Sequence, residues 1–239
     1  MKLEYTVKTN EAGIELKNLL RNRLRLSMSM IRKLKNISGI FVNGNPVYTN
    51  YRVIPGDYVC VSMTEKQPDI PAEDGKLDII YEDEWFLVLN KPCGLITHPS
   101  RSRYTGTLMN FALHYIKRHG GEAVHAVNRL DRDTSGLVIM TKSGYAKNLC
   151  SSGNIEKTYL ALVWGSPGAD EGVITLPIKR EKEREMRRIV SPDGDRAVTT
   201  YKVIKKYGEF SLLSIGLETG RTHQIRVHLR ALGYPILGD

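Results

Sequence analysis

The stretch Asn128-Arg-Leu-Asp-Arg-Asp-Thr-Ser-Gly136 sets Asp131 between Arg129 and Arg132, with Asp133 alongside, and runs without a spacer into the apolar residues 137–140. Nearby cations favour the ionised form of a carboxylate and keep it ready as a nucleophile or a base. A solvated turn would tolerate the same cluster. Rival chemistries are poorly served. Ser135 lacks the G-x-S-x-G elbow of a hydrolase nucleophile. A dinucleotide or Walker glycine pattern is absent. A metal held by Asp131 and Asp133 would want further carboxylate or histidine ligands.

The charged loop sits at the mouth of what reads as a buried strand, so its neighbours must be the elements that hold it. LDIIYEDEWFLVLNK (77–91) reads as two strands around a Glu82-Asp83-Glu84 turn. Thr105-Gly106-Thr107 opens a helix through Leu108, Phe111, Ala112, Tyr115 and Ile116, closed by His119-Gly120-Gly121. Segments 155–164, 173–180, 197–205 and 210–217 read as strands. Their lengths and turns predict one large, mostly antiparallel sheet. RTHQIRVHLRAL (221–232) has helical spacing, SPDGDR with Asp193 and Asp195 reads as a turn, and KREKEREMRR (179–188) as a solvated hairpin.

The first third forms a unit of its own. Apolar residues Ile14, Leu16, Leu19, Leu20 and Leu24 predict a helix over 11–24, and Ser27 is a candidate N-cap for a second. GIFVNGNPV carries Asn43-Gly44, a strong hairpin signal, and Gly56-Asp57 turns the chain into a strand at Tyr58. Lys17, Arg21, Arg23, Arg25, Arg32, Lys33 and Lys35 crowd the two helices. They form either a phosphate-binding surface or the solvated faces of two ordinary amphipathic helices. Residues 64–76, rich in proline and polar groups, read as a linker. The expected division is 1–63, 64–76 and 77–239.

The 239 residues carry a formal charge of +9, with ordinary apolar (41%) and charged (26%) fractions, so a folded protein with a polyanionic partner is expected. Cys60, Cys93 and Cys150 form neither a CxxC pair nor a disulfide framework, which suits a reducing compartment. An apolar run of membrane-spanning length is lacking, and the first residues lack the apolar centre of a signal peptide; the expectation is a cytoplasmic protein away from membranes.

Two resemblances follow from these motifs. Residues 11–63, with the helix pair, the I-F-V-N-G hairpin and V-x-P-G-D-x-V, resemble the S4 RNA-binding domain. From Leu77 onward the chain resembles the RluA-type pseudouridine synthases. It matches the pattern His-Arg-Leu-Asp-x-x-Thr-Ser-Gly-Leu at Arg129, Leu130, Asp131, Thr134, Ser135, Gly136 and Leu137, and has Asn128 where the family has histidine, a position taken as structural. The segments IIYEDEWFLVLNKPCGLITHPS, EKTYLALVWG and LETGRTHQIRVHL resemble further motifs of that family, in its order. The family's closing motif normally continues for several dozen residues past the point matched by Gly238-Asp239, so the domain is expected to be truncated there, with an edge or apolar patch exposed.

The resemblance implies an α+β fold, a large mostly antiparallel mixed sheet with flanking helices, preceded by a small α/β S4-like domain. It implies isomerisation of specific uridines to pseudouridine in structured RNA, ribosomal rather than transfer RNA, without cofactor or metal. The alternative is an RNA-binding protein of the same fold without catalysis. Asp131 would be the nucleophile, Tyr159 would stack on the target base, Arg221 would pair with Asp131, and Arg129 would fill the space of a flipped base. Arg21, Arg25, Arg32, Lys33 and Lys35 would grip RNA. His223 and His228 are read as packing or RNA contacts. The expected state is a monomer without an obligatory protein partner.

Overall fold

The computed structural model describes residues 2–63, 69–100, 103–152, 155–182 and 187–239. The first part of the linker, 64–68, and the middle of the basic hairpin, 183–186, lie outside these residues. The chain divides into two compact units, Met1–Asn154 and Ile155–Asp239.

The first unit begins with β1 (Lys2–Thr6), α1 (Leu16–Asn22), α2 (Met28–Asn36), β2 (Ile40–Val42), β3 (Asn45–Pro46) and β4 (Tyr58–Ser62), whose strands form an antiparallel sheet in the order β1-β4-β2-β3. Leu16, Leu19 and Leu20 of α1, Ile31 and Leu34 of α2, and Val59 and Val61 of β4 make a core of their own. The Ser27 hydroxyl accepts the Met30 amide at 3.2 Å and caps α2, as its position predicts. The first helix is shorter than its periodicity predicts. Gly13, at φ +76°, breaks the helical path, and Glu11 falls in a separate 3-10 turn. That carboxylate is buried. Burial would raise its pKa, but hydrogen bonds from the Lys8 amide, the Tyr5 hydroxyl and Arg23 outweigh this and hold it below the usual range.

Asn43 and Gly44 both take positive φ, 50° and 80°, which gives the turn the twist a tight hairpin needs. The hairpin is joined directly to the Gly56-Asp57 turn. The Asn43 Nδ2 donates to Asp57 at 2.8 Å, and the Tyr58 amide donates to the Asn43 Oδ1 at 2.8 Å. Asp57, buried, also accepts from the Tyr51 hydroxyl (3.0 Å) and the Ile54 amide (2.9 Å).

Next come β5 (Ile79–Glu82), β6 (Phe86–Lys91), α3 (Leu108–Arg118), β7 (His125–Ala126), β8 (Gly136–Thr141) and α4 (Gly144–Ser152), with an antiparallel sheet ordered β5-β6-β8-β7. Thr107 caps α3 in a capping box with Asn110. The end of the linker is not loose. The Asn110 Nδ2 donates to the Pro71 carbonyl at 2.8 Å, Glu73 accepts the Gly106 amide at 2.6 Å, and a Cβ on Gly75 would stand 2.5 Å from the Phe111 ring. This strap closes over the start of α3.

The second unit contains β9 (Thr158–Trp164), β10 (Glu171–Ile174), β11 (Ile178–Arg180), β12 (Arg188–Val190), β13 (Thr199–Lys206), β14 (Phe210–Leu217) and α5 (Gln224–Ala231). Its main sheet is antiparallel, ordered β10-β13-β14-β9, while β11 and β12 form the hairpin read from the basic run. The single strand expected over 173–180 is two. Pro177 cannot donate to a ladder, and the chain changes sheets on either side of it. Ala161, Val163, Leu213 and Ile215 are buried with Leu229 of α5. Sheet pairing thus falls into two four-stranded sheets besides that of the N-terminal module, all within the expected α+β class.

Replacing Asp57 by alanine strands three donors at the joint between the hairpin and the following turn. It should destabilise the N-terminal module by about 2–4 kcal/mol, read by chemical denaturation.

Candidate active site

Asp131 lies half-buried in the loop that leads into β8, and both of its neighbours are tied down. On one side Leu130 is buried, and its backbone makes two bonds with the hydroxyl of buried Thr97. The Thr97 Oγ1 donates to the Leu130 carbonyl at 2.9 Å and accepts the Leu130 amide at 3.3 Å. On the other side the Arg132 carbonyl accepts from the Gly94 amide (2.9 Å) and the Lys91 ammonium (2.9 Å). The loop closes on itself through the Thr134 amide, which donates to the Asp131 carbonyl at 3.1 Å, and the Cys93 thiol donates to the Asp133 carbonyl at 3.2 Å.

Lys91 is the deepest element of this arrangement. Its side chain is fully buried at the end of β6, opposite Gly136 of β8. The ammonium donates to the carbonyls of Pro92 (2.9 Å), Leu95 (2.7 Å) and Arg132, one acceptor for each N–H. Burial pushes its pKa below the ordinary lysine value, while Cys93, Asp133 and Asp131 pull it back up. The strand alternation carried the signal for this residue: Leu87, Leu89 and Lys91 occupy the same face of β6, and the first two are core.

Two further features shape the loop. Gly136 takes φ +126°, a conformation that side-chain-bearing residues rarely adopt; space is not the reason, since an added Cβ would meet only the Leu130 side chain, at 3.8 Å. Asn128 acts as a surrogate peptide. Its Nδ2 donates to the Leu137 carbonyl at 3.0 Å and its Oδ1 accepts the Ile139 amide at 2.8 Å, so it pairs with β8 where backbone pairing has ended.

The arginines of the motif divide. Arg132 is exposed and bonds the adjacent Asp133 through Nε (3.1 Å) and Nη2 (3.1 Å), a surface pair of small energetic weight. Arg129 is exposed and belongs with Asp131 to the first unit. It acts electrostatically on His98, whose imidazole is pushed below its ordinary pKa by burial, then by Arg129, then by Lys147.

Tyr159 and Arg221 belong to the second unit. Tyr159 lies in β9 opposite Ile215, with its ring packed against the core of that unit. Arg221 lies in the turn before α5. Its Nε donates to the Arg196 carbonyl at 3.1 Å and its Nη1 lies 3.4 Å from Asp195, while its backbone amide donates to the Gln224 Oε1 at 2.9 Å. Gln224 is buried, and its Nε2 donates to the Val198 carbonyl (3.0 Å) and the Thr199 hydroxyl (2.9 Å). His228 is a packing residue. Its Nε2 donates to the Leu176 carbonyl at 2.8 Å and its Nδ1 accepts from Thr199 at 2.9 Å, while burial holds its pKa down. Among the described residues no group of three or more His, Cys, Asp and Glu is placed to hold a metal ion, and no helix is long and apolar enough to cross a membrane.

The five basic residues expected to meet RNA, Arg21, Arg25, Arg32, Lys33 and Lys35, are exposed, and none has an ion-pair partner among the described residues. Their neighbours are engaged: Lys17 pairs with Glu15 at 3.1 Å and Arg23 with Glu11.

Comparison with known proteins shows the family. The profile of the family described as RNA pseudouridylate synthase matches residues 85–231. An uncharacterized RNA pseudouridine synthase of Bacillus subtilis, YlyB, is 41% identical over 209 residues, covering 84% of this chain and 69% of its own. The ribosomal large subunit pseudouridine synthase D of Nitrosomonas europaea is 34% identical over 250 residues, covering 99% of this chain and 71% of its own. The solved structure of human RNA pseudouridylate synthase domain containing 1 has 27% identity and a TM-score of 0.56, covering 70% of this chain and 71% of that one. The chain belongs to the RluA-type RNA pseudouridine synthases, and is an isomerase of uridine in RNA.

Asn128→Ala leaves the Leu137 carbonyl and the Ile139 amide without their partner. It should cost about 1–2 kcal/mol in denaturation and slow isomerisation without changing the shape of the pH–rate profile, because no titrating group is removed.

Proposed function

We propose that this chain converts specific uridines of structured RNA, ribosomal RNA foremost, to pseudouridine through nucleophilic attack by Asp131 on a base flipped out of its stack. One observation carries the reading: a half-buried carboxylate on a loop anchored at both of its neighbours, at the mouth of a buried strand. The choice of ribosomal RNA rests on the likeness to the Nitrosomonas europaea enzyme.

Asp131 attacks either C1′ of the ribose or C6 of the uracil. The bond from C1′ to N1 breaks and the base turns; C5 bonds to C1′, the bond between the Asp131 oxygen and the carbon it attacked breaks to return the carboxylate, the C5 proton leaves and N1 gains one. Atoms balance without water or an electron acceptor. Extruding the base costs a few kcal/mol, roughly, and Arg129 fills the space it vacates. Tyr159 stacks on the uracil and takes the C5 proton. Arg221 pairs with the Asp131 carboxylate and orients it; its present ion pair with Asp195 is solvent-exposed and therefore readily exchanged. Residues 1–63 serve as an S4-like module gripping RNA through Arg21, Arg25, Arg32, Lys33 and Lys35, 64–76 connect it, and 77–239 carry the catalysis. The protein works as a monomer in the cytoplasm.

RNA labelled with tritium at uridine C5 tests this. Isomerisation releases the label to water and leaves pseudouridine, not free uracil, in the digest. Asp131→Asn should lower the rate by roughly 10⁴-fold or more while RNA affinity stays within a few-fold. Arg129→Ala should slow structured substrates more than unstructured ones. A comparable rate from Asp131→Asn, free uracil, or RNA binding without turnover would overturn the reading.

A further inference from the structure

The surface of the N-terminal module is almost wholly cationic. Residues 1–63 hold ten lysines and arginines against four carboxylates, and two of the four, Glu11 and Asp57, are buried in hydrogen bonds. One large apolar side chain stands out on this surface. Tyr48 is 76% exposed, more than any other large hydrophobic residue among those described. It makes no hydrogen bond or ring contact among the described residues, while Val47 and Tyr51 on either side pack on the core of the module. Its backbone is fixed. The Tyr51 amide donates to the Tyr48 carbonyl at 3.0 Å and closes a turn. That turn is tied to α1, where the Lys17 amide donates to the Thr49 carbonyl (2.9 Å) and the Leu16 amide to the Tyr51 carbonyl (2.7 Å). Arg52 follows at once. Its exposed guanidinium donates through Nη1 to the Gly13 carbonyl at 2.9 Å, and no carboxylate pairs with it among the described residues. Arg21, also exposed, lies one helical turn beyond Lys17 on the same face of α1.

We propose that Tyr48 is a stacking platform for an unpaired nucleobase of the substrate RNA, with Arg52 and Arg21 meeting the adjoining phosphates. The proposal rests on RNA being the substrate, and it names the part of that RNA which the module recognises: a loop or bulge, not a paired helix alone. Every base offers a π face to an aromatic ring, so the contact needs no particular sequence. Only an unstacked base has that face to give, and fully paired RNA cannot use the platform. Tyrosine suits the task. Its broad ring turns about two bonds only and is ordered on binding at little entropic cost, and the backbone beneath it is already held. For the fold alone the residue is a poor choice, because a ring left in water forgoes the burial that Val47 and Tyr51 obtain. A protein partner would also cover an exposed ring, but a surface with ten cations and two unburied carboxylates favours a polyanion.

Binding is measured with the full chain on two RNAs, a stem-loop with an unpaired loop and a duplex of the same stem, across a salt series. Tyr48→Ala should lose about tenfold in affinity for the stem-loop, within the range of one stacked base. The slope of log affinity against log salt should stay parental in that variant, because no charge is removed. The same variant should bind the duplex like the parent, and Tyr48→Phe should bind both RNAs like the parent. Arg52→Gln should flatten the slope on the stem-loop by about 0.7, the share of one phosphate contact on a single strand. Parental affinity of Tyr48→Ala for the stem-loop, an equal loss on the duplex, or an unchanged slope in Arg52→Gln overturns the proposal; the first of these leaves the ring to a protein partner. Tritium release by the parent, assayed separately, distinguishes that failure from a failure of the isomerase reading.

Discussion

A single buried ammonium organises the loop that carries Asp131. Lys91 sits where β6 ends and two irregular segments meet, 92–95 and 131–135, neither of which has a ladder to satisfy its carbonyls. Three carbonyls of these segments, those of Pro92, Leu95 and Arg132, accept from the ammonium. The charge is itself expensive to bury, and the carboxylates of Asp131 and Asp133 offset part of that cost through their field. The loop that carries Asp131 and the residue that anchors it thus stabilise each other.

The second unit solves the same problem with neutral groups. Thr219 accepts the Val198 amide at 2.8 Å and donates to Gln224 at 2.9 Å; Gln224 donates to Thr199, and Thr199 to His228. Each buried donor meets an acceptor along this chain, which fixes the turn bearing Arg221 against the start of β13. Asp131 in the first unit and Arg221 in the second both stand on irregular backbone held by satisfied polar groups. Exposed pairs such as Arg132–Asp133 and Arg196–Glu218 contribute little to that rigidity.

What could be read from the sequence follows from how local each signal is. Ser27 as a cap, Asn43-Gly44 as a hairpin turn, the strands at 58–62 and 210–217, and the helix opened by Thr107 depend on a few adjacent residues, and the structure has them at those positions. Features set by distant partners were not legible. The helix α4 has too weak an apolar pattern to stand out, and β1 and the two-residue β7 exist as strands through pairing with β4 and β8. The helix expected from Glu11 to Leu24 loses its first turn to Gly13, and Glu11 is withdrawn into a buried hydrogen-bond cluster. At the site, Asp131 and its arginines announce themselves by type and spacing. Lys91, Thr97 and Gln224 bond backbone carbonyls 41, 33 and 26 positions away, and no local pattern reports such bonds.

Hydrogen exchange in Lys91→Met tests the central claim most directly, since methionine keeps the bulk of the side chain and removes all three donors. The Gly94 and Thr134 amides report on the two ends of the anchored loop. Loss of one hydrogen bond to a charged group is worth about 1.5–3 kcal/mol, so both amides should exchange about 10- to 100-fold faster while amides of the N-terminal module keep their parental protection. Parental protection at Gly94 and Thr134 in a folded Lys91→Met protein would contradict the account, because the Asp131 loop would then be held without the ammonium.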